Sequence, residues 1–399
     1  MLIKNNKNFF LLWQGQLVSQ VGSKVYLIAL AWYFVSVLDD NHAFITIMLI
    51  SSLPGLLFGL LIGPFIDRWN KKYILVISDL ISGIIVLLVA LLIWFKVDNP
   101  LPIYAAVFIL NISVIFFNPA VTSIIPSLVK KEQIQEGISM NTMVQFIAQF
   151  IGCAVGGLLV AFLGIFATIL LNAVSYILSA FSEMFIKYKY QLSPVKLNHF
   201  HELSEGFKYV LKNRLIFRPM LIFSLLNIFA VPIVVFIPIL VDDYFRLSAV
   251  YYGFAESGIP VGAIVVALFM ARKQVTDHLK LIKSGLILIS TSFFLIYFFR
   301  EIYLVMAALL AFGIFLNLIN INAISFYAKN IEAGFRGRFF TLLDTVSFAT
   351  FPLAYLLTGI LLKQFSLFTL ILINGIAMLA IGLSSVVYLK KPSHPSPDM

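Results

Sequence analysis

The chain is 399 residues long, and 61% of its residues are hydrophobic, 15% are aromatic and only 12% are charged. Its mean hydropathy of +1.00 lies far above that of water-soluble domains, which argues against any arrangement of soluble domains. The formal net charge of +10 fits contact with anionic lipid headgroups, so we expect membrane lipids and no nucleic acid among the partners.

Apolar stretches long enough to cross a bilayer recur along the chain. A helical span needs about 20 mostly apolar residues, because an unpaired backbone group in lipid costs several kcal/mol. The predicted spans are 9–37, 43–66, 73–95, 101–126, 138–162, 165–187, 217–241, 249–271, 281–299, 302–327, 338–362 and 365–389. This pattern predicts an all-α membrane protein with twelve transmembrane helices in two pseudo-symmetric six-helix bundles.

The longest polar segment separates the two sets of six spans. We predict an N-terminal bundle at 1–190, a cytoplasmic linker with an amphipathic helix at 191–216, and a C-terminal bundle with a short tail at 217–399. Apolar residues at helical spacing in 203–211 are typical of a helix that lies on the membrane surface. A structural strut is the favoured interpretation of this helix, with a regulatory element as the alternative.

Lysine and arginine are distributed unequally between the two sides of the predicted membrane. Of the 28 in the chain, 23 lie in the N-terminus, the even-numbered loops and the C-terminal tail. Because cytoplasmic segments retain positive charge during insertion, both termini are expected to be cytoplasmic, in a plasma or inner membrane. The first span is too long for the apolar region of a signal peptide, so we expect it to remain in the mature protein.

The loop between the second and third spans carries the most specific motif. It reads Gly-Pro-Phe-Ile-Asp-Arg-Trp-Asn-Lys-Lys over residues 63–72. This sequence resembles the signature loop of the major facilitator superfamily, whereas positive-inside charges alone would explain only its basic residues. The resemblance implies a conformational-switch loop made by Gly63, Asp67, Arg68, Lys71 and Lys72.

Two further segments are similar to the drug-antiporter branch of that superfamily, which contains macrolide efflux proteins and the enterobactin exporter. They are Phe-Leu-Leu-Trp-Gln-Gly-Gln at 10–16 and Phe-Asn-Pro-Ala at 117–120. The resemblance implies alternating access and proton-coupled antiport of amphiphilic small molecules, such as macrolide-like drugs or siderophore-like compounds. Span four lacks the arginine that these exporters often use for proton coupling.

Span five carries a cluster of glycines that is similar to an antiporter motif. The segment reads Gly-Cys-Ala-Val-Gly-Gly over 152–157, with Cys153 where that motif has proline. Glycines four residues apart let helix backbones approach each other closely in lipid. We therefore predict that Gly152, Gly156 and Gly157 form a helix-packing face.

Ionisable groups inside spans are costly and are candidates for function. Lys24 and Glu256 fall at similar depth in opposite halves, which makes them candidates for proton coupling as an ion pair. In the alternative, Lys24 reaches the external headgroups and Glu256 faces a wet vestibule. Asp79 and Asp344 lie near cytoplasmic helix ends, where a structural partner in the basic loops is favoured, and Glu183 is expected to be solvated.

Uncharged polar side chains recur on several spans and predict a broad polar cavity that suits an amphiphilic solute. For any single residue, interhelical hydrogen bonding is the alternative. The cavity-lining candidates are Gln16, Gln20, Asn111, Gln145, Gln149, Asn227, Asn317 and Asn320.

Three classes of function are compatible with a polytopic chain: an exporter, an importer or lipid flippase of the same fold, and a membrane-embedded enzyme. The spans show no paired acids, histidine cluster or nucleophile with a base at helical spacing, which disfavours the enzyme. We expect no catalytic residues, no cofactor and no metal. The expected partners are a small amphiphilic substrate and protons, and the expected state is a monomer.

Overall fold

A computed structural model describes residues 2–188, 208, 210–211, 213–272, 275–332 and 336–389. Within these residues, every regular element is a helix. The α-helices with assigned bounds are α1 (Leu2–Asn5), α2 (Lys7–Trp32), α3 (Asn41–Arg68), α4 (Lys71–Trp94), α5 (Leu101–Leu128), α6 (Ile134–Met184), α7 (Arg214–Ala230), α8 (Ile233–Ile239), α9 (Ala249–Ala271), α10 (His278–Phe298), α11 (Ile302–Asn330), α12 (Arg336–Leu362) and α13 (Leu367–Tyr388). Single π-helical turns follow α2 at Tyr33–Val37 and α8 at Leu240–Tyr244.

Short polar side chains fix where several helices begin. The Asn6 side chain accepts a hydrogen bond from the backbone N–H of Phe9 at 3.0 Å, and Asp40 accepts one from Ala43 at 2.8 Å. Each cap satisfies an N–H group that the first helical turn leaves unpaired. The caps of α4, α10 and α13 are Asn70, Asp277 and Ser366.

Helix α6 contains two membrane spans. Its 51 residues would extend about 77 Å at 1.5 Å per residue, whereas the hydrocarbon core is about 30 Å thick. Gly164 interrupts it with φ 81° and ψ 170°, a backbone conformation that is essentially restricted to glycine. The described residues hold 11 sufficiently long and apolar helical segments, and the break at Gly164 makes one of them two spans. The twelve-helix prediction is confirmed.

The chain divides into two compact units. The first comprises Met1–Leu197 and Ile237–Ser257, and the second comprises Asn198–Phe236 and Gly258–Met399. Helix α9 therefore contributes residues to both units. The division into bundles at 1–190 and 217–399 stays a prediction, and the amphipathic helix predicted in the linker lies almost wholly outside the described residues.

Helix α2 packs against α6 more extensively than any other pair of helices in the first unit. Small residues on α2 allow this approach. A β-carbon on Gly15 would lie 3.0 Å from the Ser179 hydroxyl, and one on Gly22 would overlap the side chains of Asn172 and Ser175. Helix α4 packs on the same helix. The polar side chains of α2, α4 and α6 are consequently brought together inside the unit.

Candidate functional site

An ion pair lies inside the first unit. The Lys24 ammonium on α2 donates to Glu256 Oε1 on α9 at 2.7 Å. The Lys24 side chain is 22% exposed, whereas that of Glu256 is only 3% exposed. The second carboxylate oxygen, Oε2, has no hydrogen-bond partner among the described residues. The two ionisable groups that share a predicted depth are therefore in direct contact, and their role in coupling stays a prediction.

Close helix packing determines where the Lys24 side chain can lie. A β-carbon on Gly152 of α6 would approach the Lys24 β-carbon to 2.6 Å. One on Gly156 would lie 3.1 Å from the β-carbon of Ile28, one turn further along α2. Glycine at both positions thus lets α2 lie directly on the α6 backbone, which holds the stem of Lys24 in place.

The same face of α6 also meets α9. A β-carbon on Gly157 would overlap the backbone carbonyl of Ala249 and lie 3.0 Å from the Gly253 α-carbon. Nearby, the rings of Trp32 and Tyr252 stack with centroids 6.1 Å apart. Helices α2, α6 and α9 consequently meet around the ion pair with little free space, so a change in their separation would alter the distance between the two charges.

The switch-loop residues occupy a helix–turn–helix. Helix α3 ends at Arg68, and the Asn70 side chain accepts from the backbone N–H of Lys72 at 3.1 Å to begin α4. Trp69 stacks on Phe116 of α5 with ring centroids 6.0 Å apart, which anchors the turn. The burial of Gly63 and the side chain of Asp67 lie outside what the structure describes. The switching role of the loop stays a prediction.

The cavity-lining candidates occupy several environments. Gln16 is buried, with 2% exposure, and Gln20 lines a polar cavity in the first unit. Asn111 and Asn317 donate to carbonyls four residues earlier in their own helices. Gln145, Gln149 and Asn320 are exposed, and Asn227 is partly buried. Lining of a common substrate cavity stays a prediction for this set.

Two acids have surroundings that differ from their predicted ones. The prediction that Glu183 is solvated is wrong, because its side chain is 0% exposed. Asp79 is also buried, and it forms no ion pair with a described residue, so the predicted basic partner is absent from that part of the chain. Among the residues with described positions, no three His, Cys, Asp or Glu side chains converge as metal ligands.

Comparisons with known proteins identify the family to which the chain belongs. A family model described as Transmembrane secretion effector matches residues 4–398. Macrolide efflux protein A of Streptococcus pyogenes is 25% identical over 272 residues, which cover 65% of this chain and 66% of that protein, just under two thirds of its length. An uncharacterised transporter of Bacillus subtilis (strain 168), YvqJ, is 23% identical over 398 residues and covers 96% of this chain, with 93% of its own length matched.

Solved structures share the fold. The crystal structure of the nucleoside transporter NupG, as its D323A mutant, superimposes with a TM-score of 0.78 at 14% identity, covering 96% of this chain and 100% of that one. At that identity the likeness concerns the fold alone. With the family match over nearly the whole length, the chain belongs to the transmembrane secretion effector family of the major facilitator superfamily, whose members are polytopic membrane transporters.

Proposed function

We propose that this protein is a secondary exporter of amphiphilic small molecules that works by alternating access and exchanges its substrate for protons. The observation that carries the proposal is the ion pair between Lys24 and Glu256, which joins α2 and α9 at 2.7 Å. Separating this pair leaves the buried Glu256 carboxylate without its ammonium partner, which is costly unless the carboxylate gains another partner or changes its protonation state. Motion of these helices is thereby linked to proton uptake and release.

The substrate class is proposed from two observations. One relative is named a macrolide efflux protein, and macrolide-like or siderophore-like compounds combine apolar surface with many polar groups. The spans of this chain carry uncharged amide side chains such as Gln145 and Gln149 that are exposed and can hydrogen-bond such groups without favouring an inorganic ion.

The proposed location is the plasma, or inner, membrane with both termini in the cytoplasm. Support comes from the 23 of 28 lysines and arginines that fall on one predicted side. In this orientation, the turn between α3 and α4 lies at the cytoplasmic headgroups, and Lys71 and Lys72 interact with anionic lipid there.

An accumulation assay tests the function. Macrolides, fluorescent dyes and siderophores would be measured inside cells that lack the protein, express it, or express Lys24→Glu at an equal level. We expect at least one class to accumulate less in the wild-type cells, and a protonophore to abolish that difference. Higher accumulation in wild-type cells would contradict export and favour an importer, and movement of lipid analogues alone would favour a flippase.

A charge exchange tests the role of the ion pair. Lys24→Glu and Glu256→Lys should each stop export, because each places two like charges in contact. The double variant restores opposite charges and should recover part of the transport rate. Equal loss in the double variant and both single variants, at matched expression, would show that the pair does not act as a unit.

A further inference from the structure

A large cavity lies in the second unit, between the end of α9, the start of α10 and α11. It has a volume of about 630 Å³, which falls within the roughly 300–1,000 Å³ that is usual for a small-molecule site. One part of its wall is polar, and the rest is apolar. The polar lining residues are Thr276, His278, Ser325 and Lys329, and the apolar ones include Met270 and Ile321.

A buried asparagine orients the histidine of this wall. Asn322 of α11 is 0% exposed, and its Nδ2 donates to the backbone carbonyl of Leu318 at 2.8 Å. Its Oδ1 lies 2.9 Å from Nδ1 of His278. Because an amide oxygen can only accept, Nδ1 of His278 carries a proton and donates it. The imidazole ring is therefore held in one orientation, with Nε2 directed away from Asn322.

The oriented histidine positions a positive charge at the cavity. The Nζ atom of Lys329 lies 2.9 Å from Nε2 of His278. An ammonium group has three donors and no acceptor, so Nε2 accepts the bond and the ring is neutral. Lys329 makes no ion pair with an acid in the described part of the chain. The wall thus presents a positioned ammonium group, with further N–H donors, to a ligand in the cavity.

The surroundings of this ammonium group favour an anion. Segment 272–283 contains four lysines or arginines and one acid, Asp277. The Asp277 side chain accepts from the backbone N–H of Lys280 at 3.2 Å and so caps α10. Thr276 is exposed and lines the cavity, where its hydroxyl can donate a hydrogen bond. A phosphate group has several acceptor oxygens, and it therefore suits a lysine and a hydroxyl together.

The apolar part of the wall requires more than an inorganic ion. Ile321, Ser325 and Lys329 recur every four residues on one face of α11. Ile321 consequently lies about 12 Å along the helix from Lys329, at 1.5 Å per residue. Met270, at the end of α9, adds a flexible apolar side chain that can adapt to varied shapes. Phosphate alone would leave these side chains in contact with water.

We propose that this cavity binds a phosphate-bearing amphiphile, whose phosphate oxygens accept from Lys329 and Thr276 while its apolar part lies along Met270 and Ile321. The site goes beyond the proposed export function and does not depend on the substrate, direction or coupling ion of transport. In the proposed orientation, the loop before α10 is cytoplasmic. The ligand is then either a phospholipid of the cytoplasmic leaflet or a soluble phosphorylated amphiphile.

Native mass spectrometry of the full-length protein in an uncharged detergent tests the site. The probe is dioctanoyl phosphatidic acid, and dioctanoylglycerol and inorganic phosphate serve as comparisons. We expect one phosphatidic acid molecule to bind per protein, and neither comparison to bind at the same concentration. Lys329→Met should weaken binding by about tenfold or more, because it removes a charge-assisted hydrogen bond. The matched control Lys280→Met removes an exposed lysine that does not line the cavity and should change the affinity by less than about twofold.

Equal affinity in the wild type and Lys329→Met would overturn the proposal, and so would equal binding of dioctanoylglycerol or of inorganic phosphate. If Lys329→Met does not fold, Ala271→Trp decides, because an indole at this exposed lining residue fills the cavity without changing any charge. Unchanged binding by that variant would contradict the site.

The protein as extracted from cells distinguishes the two sources of ligand. A phospholipid that the wild type retains and Lys329→Met loses would identify a membrane lipid. A site without retained lipid that binds added dodecyl phosphate would identify a soluble amphiphile. Both results support the site, and a failed accumulation assay would reject export without affecting either.

Discussion

Removal of Lys24 should destabilise the protein more than removal of Glu256, although the two residues form one ion pair. Lys24→Met preserves the length of the side chain and leaves the Glu256 carboxylate, 3% exposed, without its ammonium partner. We expect a loss of about 3–5 kcal/mol in the free energy of unfolding, the usual cost of an uncompensated buried charge. Glu256→Gln instead leaves the ammonium of Lys24, whose side chain is 22% exposed. Because a lysine stem can redirect its charge towards water or headgroups, the expected loss is about 1–2 kcal/mol.

The double variant Lys24→Met/Glu256→Gln removes both charges. A buried ion pair replaced by uncharged side chains of similar volume is often neutral in stability, so we expect a free energy of unfolding within about 1 kcal/mol of the wild type. The double-mutant cycle then gives a coupling energy of about 3 kcal/mol or more, which is at the upper end for residues in contact.

Equilibrium unfolding in mixed detergent micelles measures these four free energies. Lys363→Met, which removes an exposed lysine of a loop, is the matched control and should change stability by less than about 0.5 kcal/mol. The reasoning fails if the two single effects simply add in the double variant. It also fails if Glu256→Gln costs more than Lys24→Met, since burial could not then govern the cost.

Three other substitutions test separate parts of the account. Gly157→Ala should lower thermal stability and stop export in the accumulation assay, because the added methyl overlaps the Ala249 carbonyl. The control Gly59→Ala should change neither property, because its added methyl meets nothing within 4 Å. Equal effects of the two substitutions would show that close packing is incidental. Gly164→Ala should lower the free energy of unfolding by about 1–3 kcal/mol. Backbone strain is the only expected cause, because the added β-carbon meets nothing within 4 Å. An unchanged stability would contradict this reasoning. Asp67→Asn should leave the protein folded and inserted but slow export, and a wild-type export rate by the purified variant would refute a switching role for the loop.

Much of the fold could be predicted because membrane spans obey a length rule. Predicted spans at 138–162 and 165–187 leave a short connection, and the structure has the positive-φ Gly164 inside it. The depths of Lys24 and Glu256 could likewise be compared from the sequence, because each residue of a helix adds a fixed rise. Both inferences depend on distance along a single helix, which the sequence records directly.

The burial of the two acids could not be predicted in this way. Asp79 and Glu183 lie on helices that are far apart in the sequence, and the burial of each depends on which faces of α4 and α6 pack inside the unit. A signal was nevertheless present in α6, where Asn172, Tyr176, Ser179 and Glu183 recur at intervals of four, three and four residues. That spacing places them on one helical face, and a polar face that ends in an acid favours burial against protein over solvation in lipid headgroups.

The central claim is that export is driven by a proton gradient, and a flux measurement on purified protein in liposomes tests it most directly. A labelled macrolide, or whichever compound class the cells export, would be added outside liposomes whose interior is acidic. The account predicts accumulation above the external concentration, abolished by a protonophore and absent with Lys24→Glu. A flux through the wild-type protein that is the same with and without the pH gradient would contradict it.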